Sequence, residues 1–445
     1  MEINIKKNEE YIVDIIDYGS NGEGIAKING YTIFVIGGVK GEKCKIHILK
    51  VLSSHSFAKV IEIIQKSANR VEPDCKTFPK CGGCDLRHIT YTETLKIKQE
   101  KVQNLANKML SENVKVNETI GMETPIYYRN KAIFPINKDG NVGIYAKRSH
   151  DIIPICECKI QTKLSQEIAK FVVDTWEYTI YDEKTQKGLL RNIMIKEGFN
   201  THEVMCAIVI NSNKSVEYNV EKLINKFPQI KTVVLNLNNK NTNVVLGKDN
   251  VVLYGDGYIS DKLGEYAFKI SPNSFYQVNP VQTEKLYNLA IKSANLNKED
   301  ILCDLYCGIG TIGIFASKYV KKVYGIEIVE DAIKDAKENA KLNNITNIDF
   351  IEGDVETAFD KLLKQNIIPT AVIVDPPRKG LDNKTVENLK KLKLQRLVYV
   401  SCNPATLMRD LAKLEEVYFI KEITPVDNFC YSSHVESIAS LQLKQ

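Results

Sequence analysis

The chain has 445 residues, 44% hydrophobic and 26% charged, with eleven cysteines and a formal net charge of +5. That length exceeds a single core and predicts two or three domains. No apolar run approaches the ~18–20 residues of a membrane span, and the polar opening MEINIKKNEE lacks the apolar stretch of a secretory signal.

The expectation is therefore a cytoplasmic protein. Its cysteines should be reduced, and are read as metal ligands, nucleophiles or core fillers rather than disulfides. The mild positive charge permits a polyanionic partner without demanding one.

Residues 1–60 read as β structure. Short apolar runs are broken by Asn21-Gly22, Asn29-Gly30 and Gly37-Gly38, the spacing of a small barrel. Eight Lys or Arg stand against seven Asp or Glu in this stretch. Any RNA contact must therefore come from geometry and a few residues such as Lys27; otherwise the barrel is structural or faces a protein.

Residues 61–265 form a mixed α+β region. DCKTFPKCGGCDLRH places Cys75, Cys81 and Cys84 in a C-x5-C-x2-C spacing, and ICECKIQ adds Cys156 and Cys158. Zinc sites more often use two tight pairs. Three clustered thiolates with one remote thiolate also fit an iron–sulfur cluster, and both readings stay open beside a purely structural one. TETLKIKQEKVQNLANKMLSEN predicts a helix, with Leu95, Val102, Leu105 and Met109 on one face and a basic outer face. RNKAIFPI, LLRNIMIKEG and HEVMCAIVIN predict antiparallel strands. Cys44, Cys206 and Cys303, in apolar strand-like contexts, are expected to be packing residues.

Residues 266–445 alternate strands and helices, the rhythm of a parallel sheet covered on both faces. The first strand runs into Asp304-Leu305-Tyr306-Cys307-Gly308-Ile309-Gly310-Thr311-Ile312-Gly313. These glycines let the backbone turn tightly and a ligand approach a helix N-terminus. The pattern fits a nicotinamide dinucleotide or S-adenosylmethionine (SAM), and Cys307 in the turn has no chemical task of its own. Glu327 ends the second strand, where a carboxylate can accept both ribose hydroxyls. Asp354 ends the third, suited to adenine or to capping a helix.

After the fourth strand come Asp375-Pro376-Pro377-Arg378, a rigid turn. An acid followed by two prolines here occurs in methyltransferases acting on planar nitrogen bases, while Arg378 in place of an aromatic argues against transfer to an exocyclic amine. After the fifth strand, RLVYVS, comes Cys402-Asn403-Pro404, with the thiol at a strand end where α/β sheets bind ligands.

C5 of a pyrimidine attacks a methyl sulfonium only after C6 has received a nucleophile. A thiolate suits this because it both adds and leaves. A base must then remove the C5 proton, and VDNFCYSSHVESIASL offers His434 and Glu436, which share one face if both lie on a strand.

DLYCGIGTIG, VDPPRKG, SCNP and HVE, in that order and preceded by SPNSFYQVNP at 271–280, resemble the RNA uracil-5-methyltransferases over nearly the whole chain. The resemblance implies a Rossmann-like SAM methyltransferase domain at 266–445. It implies Cys402 as nucleophile, Glu436 as base and SAM contacts at Gln277, Tyr306, Glu327 and Asp375, with Asp375 also placed to hold the uracil. The cysteine spacing is similar to that of large-subunit (23S) rRNA members. This implies a [4Fe-4S] cluster on Cys75, Cys81, Cys84 and Cys158, with Cys158 rather than Cys156 preceding KIQ, in a structural or RNA-positioning role. GSNGEGIAKINGYTIFVIGGVKGE resembles a TRAM domain, an OB-like barrel, in which Tyr31 and Phe34 are read either as stacking on bases or as core and rim residues.

The chain departs from many relatives in having Cys430 and Ser432 where they carry Pro and Thr. The expectation is a monomeric enzyme that methylates an unpaired or flipped uridine of 23S rRNA. A tRNA uridine methyltransferase is the nearest alternative. An iron–sulfur Rossmann oxidoreductase and a non-catalytic assembly factor are the readings from other classes.

Overall fold

The computed structural model describes residues 5–147 and 149–444. At the N-terminus, strand Glu10–Asp14 pairs with Lys43–Val51, followed across the sheet by His55–Gln65, Tyr31–Ile36, Gly24–Ile28 and Asp17–Tyr18. Ile16 donates to the Ile25 carbonyl and Ile15 to that of Glu42, so the sheet closes on itself. Ile33, Val35, Ile46 and Ile48 fill the interior.

Period-2 alternation turns Phe34 outward, where it meets His55 edge-on at 5.3 Å and stacks on Phe57 at 5.6 Å. Of the two readings of Tyr31, the structure takes the core one. It is buried, its hydroxyl donating to the Leu52 carbonyl at 2.5 Å and accepting from Ser56 at 3.1 Å, so it is not available to stack on a base.

The three strand-like stretches of the middle region are neighbours in a second sheet. Lys131–Pro135 pairs antiparallel with Leu190–Glu197, and that strand with Val204–Ile210. Ile230–Leu237 joins in parallel after the helix Val220–Lys226, and Asp249–Tyr254 closes the edge. Helix Lys163–Asp174 packs Ile168, Ala169 and Val172 into the core that also holds Cys206.

The C-terminal sheet has seven strands in the spatial order Ile348–Glu352, Lys322–Glu327, Ile301–Leu305, Ala371–Val374, Arg396–Ser401, Glu436–Leu443, Tyr418–Val426. The first five are parallel. Glu436–Leu443 is wedged antiparallel between Arg396–Ser401 and Tyr418–Val426, which share one direction. Alternation sends Leu302, Ile373, Val398 and Val400 to one face and Cys303, Val372, Val374, Leu397 and Tyr399 to the other. The strand order reverses between Ile301–Leu305 and Ala371–Val374, and the crevice beyond their C-terminal ends is where such sheets take ligands.

Two segments ahead of residue 266 pack on this sheet. The hairpin Ile259–Leu263/Tyr266–Ile270, whose turn contains the 265/266 division, joins the first face. Helix Tyr91–Met109 joins the second through Val102 and Ala106.

The outer face of that helix is not uniformly basic. Lys98 is fully buried and ion-paired with the equally buried Asp427, and Met109 is exposed. A lysine is tolerated inside because Asp427, far along the chain, supplies its counter-charge. Tyr91 also donates to Asp427 at 2.8 Å, and Lys98 donates to the Phe429 carbonyl at 3.0 Å. The cysteine loop completes this bracket. Asp85 accepts from the Ser433 N–H at 3.0 Å, and the Arg87 guanidinium lies 4.4 Å from the centre of the Tyr431 ring. Residues 427–434 are thus held on three sides just before the strand that begins at Glu436. Among the described residues no helix is long and apolar enough to cross a membrane.

Candidate active site

The glycine turn after Ile301–Leu305 is shaped by backbone that few side chains tolerate. Gly308 and Gly310 have φ of 54° and 83°, and Tyr306 has φ of 63°. A Cβ on Gly310 would meet the Phe350 ring at 2.8 Å, whereas the Cβ position of Gly308 is open. The turn therefore needs small residues on the packed side and leaves room on the other. Asp304 braces it from below, one carboxylate oxygen accepting the Gly313 N–H at 2.8 Å and the other buried with no partner. Burial pushes this acid up to about 8. Glu327, at the end of the next strand, accepts from the Gly308 N–H at 3.2 Å and the Ile328 N–H at 2.8 Å.

Across the reversal point, Asp375 ends its strand with its N–H bonded to the Leu305 carbonyl. The Arg378 carbonyl accepts from the Asn403 amide at 3.1 Å and the Thr406 hydroxyl at 3.2 Å, tying the Asp-Pro-Pro-Arg turn to the start of helix Pro404–Leu414. Asn403 caps that helix through the Ala405 N–H. Cys402 sits in the one-residue gap between strand end and cap.

The ladder then fixes its neighbour. Ser401 pairs with Ser437 in antiparallel register, so the next positions outward, Cys402 and Glu436, face each other across adjacent strands. Electrostatics report the same proximity. Burial, with the Glu436 and Asp375 carboxyls, pushes the Cys402 thiol up to about 11, while the Arg378 guanidinium pulls it down. Burial and Asp375 raise Glu436 to about 8, again opposed by Arg378, and burial alone raises Asp375 to about 7. A thiol and two carboxyls that resist ionisation, beside one cation, can hold and exchange a proton near neutral pH.

This sheet order, with an antiparallel strand inserted beside the fifth, differs from the all-parallel dinucleotide fold. The comparisons agree with that difference. The family model described as tRNA (uracil-5-)-methyltransferase matches residues 90–444, and the TRAM domain model matches 6–61. The chain belongs to the tRNA (uracil-5-)-methyltransferase family. It is 44% identical over 448 residues to a Clostridium tetani protein described as an uncharacterized RNA methyltransferase, covering 98% of this chain and 97% of that one. It is 43% identical to another so described from Oceanobacillus iheyensis, covering 99% and 98%. The solved Pyrococcus abyssi tRNA (uracil-54, C5)-methyltransferase, in complex with S-adenosyl-L-homocysteine, superposes with a TM-score of 0.77 at 26% identity, covering 97% of this chain and 100% of that one. The protein is thus a SAM-dependent RNA uracil-5-methyltransferase with an N-terminal TRAM domain, and the oxidoreductase reading is set aside.

Within the family fold, Gln277 is buried. Its side-chain oxygen accepts from Asn428 at 3.5 Å, and its backbone carbonyl from Asn130 at 3.0 Å. Tyr306 packs against the second core face. Asp354 caps helix Val355–Lys364 through the Thr357 N–H at 3.0 Å, which accounts for its position without a ligand. His434 does not share a strand face with Glu436. The strand begins at Glu436, and His434 stands in the preceding turn, its N–H donating to Ser432, with its side chain exposed.

Lys196 carried no sequence signal. Buried and pushed down to about 7, it donates to the Ser271 and Ser274 carbonyls at 2.7 and 2.9 Å and so pins the loop leading to Gln277. Asn279 was legible only as part of SPNSFYQVNP. It caps helix Pro280–Ala294 and donates to the Asn428 carbonyl at 3.2 Å.

Cys75, Cys81, Cys84 and Cys158 come together from two stretches of chain. Burial pushes Cys84 up to about 12, with Cys158, Cys81 and Cys75 adding to the shift; burial likewise raises Cys158, which the Ile160 and Gln161 N–H groups counter. Gln166 clamps the Cys158 backbone at both N–H and C=O, while Cys156 is exposed. Among the described residues no three potential ligands stand close enough to chelate a single ion. Cys44, Cys206 and Cys303 are buried in cores. Cys307 is buried against Gly325, as a packing residue.

Proposed function

We propose that the protein methylates C5 of a uracil in 23S rRNA through a covalent Cys402–C6 adduct. The observation that carries this reading is the ladder register that sets Cys402 opposite Glu436 beside the crevice. The Cys402 sulfur adds to C6 and the electron pair moves to C5. SAM, when bound, supplies an electrophilic methyl group. Glu436 then takes the C5 proton, the ring double bond re-forms and the Cys402 sulfur leaves.

Gln277, Tyr306, Glu327 and Asp375 are assigned to the cofactor. The open space at Gly308 and the unpartnered buried oxygen of Asp304 suit a ligand seated on the turn. Arg378, which lowers both the Cys402 thiol and Glu436, favours the ionised forms that the cycle needs.

The proposal includes a [4Fe-4S] cluster on Cys75, Cys81, Cys84 and Cys158. Cys158, Cys81 and Cys75 all act on the Cys84 thiol, and the Ile160 and Gln161 N–H groups face the Cys158 sulfur. The cluster would brace the loop bonded to Ser433 and Tyr431. Iron and acid-labile sulfide in anaerobically purified protein should be lost in Cys158→Ser and kept in Cys156→Ser.

A second substrate reading, position 54 of tRNA, is favoured by the full-length likeness to the Pyrococcus abyssi enzyme. Mapping 5-methyluridine in 23S rRNA and in tRNA from a strain lacking the gene separates the two. Loss from tRNA alone removes the rRNA assignment. RNA carrying 5-fluorouridine at the target should trap the adduct, and failure to trap it with Cys402 intact removes the mechanism.

A further inference from the structure

One cavity among the described residues lies away from the methyl-transfer crevice. It holds about 750 Å³ and lies in the middle region, between the ends of strands Lys131–Pro135 and Leu190–Glu197 and the loop around residues 241–245. That volume suits a nucleoside-sized ligand.

Two adjacent residues of one strand, Arg191 and Asn192, both line it. Neighbours on a regular strand face opposite ways, but the pairing slips between Leu190 and Asn192, and such a bulge re-aims a side chain. Arg191 is held rigidly. Its Nη1 donates to the Asn238 and Lys240 carbonyls at 2.9 Å each, and its guanidinium lies 4.7 Å from the centre of the Tyr181 ring.

What remains of the pair is unused. The Arg191 Nε and the Asn192 Oδ1 are buried and have no hydrogen-bond partner, in residues 6% and 3% exposed. Leaving a buried donor and acceptor unmade is costly, a cost that a ligand carrying an acceptor beside a donor would remove. An uncharged ring with donor and acceptor on one edge fits, and Tyr145 beside the pair offers a surface to stack on.

The cavity is anchored at both ends to parts of the molecule that concern the RNA. Asn130 bonds the Gln277 and Val278 carbonyls at the crevice end of strand Lys131–Pro135, and Ile136 lines the cavity at the other, about 20 Å away at the rise of a strand. The Tyr145 carbonyl accepts the Gly82 N–H of the cysteine loop at 2.9 Å.

We propose that this cavity binds a second unpaired nucleobase of the substrate RNA, several nucleotides from the target uridine, reading its edge with Arg191 Nε and Asn192 Oδ1. It thereby fixes which RNA reaches the crevice. This rests on the assignment of an RNA substrate above.

The test uses the full chain with 23S rRNA and tRNA transcripts substituted with 4-thiouridine, irradiated and digested for peptide mapping. A cross-link to the peptide carrying Tyr145 or Tyr181, from a nucleotide other than the methylated one, is expected with the substrate transcript. It should disappear in Val244→Trp, which fills the cavity from its exposed rim, and in Asn192→Leu, which keeps the volume and removes the acceptor. Both variants should bind that transcript about tenfold more weakly while methylating at an unchanged rate when RNA is saturating. A wild-type protein that gives no such cross-link, or variants that bind as tightly as wild type, overturns the proposal. A wild type that cross-links here but transfers no methyl to uracil C5 in either RNA keeps the subsite and overturns the catalytic reading instead.

Discussion

Two buried carboxyls nine residues apart behave in opposite ways. Asp427, in the bracket beneath the crevice, is fully buried with Lys98 against it and Tyr91 donating to it. Glu436, on the crevice itself, is buried with another acid, Asp375, as its near neighbour, and is pushed up to about 8. The first region neutralises its charge within the fold and is structural. The second leaves its charge unsettled and is available for chemistry. Burial alone therefore does not mark a functional acid; its neighbours do, and Glu436 has Asp375 beside it with Arg378 only partly opposing the shift.

Substitutions can break this contrast, beginning with the largest effect. Cys402→Ala should lower methyl incorporation from labelled SAM by a factor on the order of a thousand or more and abolish the 5-fluorouridine adduct, with the melting temperature unchanged. Glu436→Gln should slow turnover about 10²–10⁴-fold, yet still form the covalent complex, which should accumulate on denaturing gels. If the adduct fails to form, Glu436 acts before proton removal rather than in it.

In the bracket the loss should appear in stability. Lys98→Met leaves Asp427 buried without its cation and should cost about 3–5 kcal/mol in denaturant unfolding. Adding Asp427→Leu should recover most of it, a recovery that no second change at Glu436 would produce.

The smallest effect is in pH. Glu436 keeps its proton in the fold to about 8, against 4.5 ordinarily, and Asp375 to about 7 against 3.8. The folded state then binds more protons than the unfolded between those limits, so wild-type stability should fall as pH rises from about 4 to 8. Glu436→Gln should flatten part of that fall.

Much of this was legible in the sequence because the crevice is built at strand ends. Strand-forming runs followed by Gly, Pro or Cys put Asp304, Glu327, Asp375 and Cys402 at the edge of the C-terminal sheet before any packing was known. The bracket was not legible. Lys98 sits in a helix whose polar residues read as a solvated face, and only the fold brings Asp427 to it across 329 positions. His434 failed for a related reason. Its two-residue spacing from Glu436 implies a shared face only where the strand exists, and turn hydrogen bonds at Ser432 postpone the strand. The cavity at Arg191 and Asn192 depends on a slip in strand pairing that no residue pattern announces.

The pairing of Ser401 with Ser437 has one more consequence. It is the last rung of that ladder, so Cys402 and Glu436 stand at the ends of two hydrogen-bonded strands and have little freedom to follow a poorly presented nucleotide. All accommodation falls to the RNA and to the outlying modules that grip it. Such a division lets recognition diverge among descendants, in the barrel, the cysteine loop or the middle sheet, while the reacting pair stays where it is.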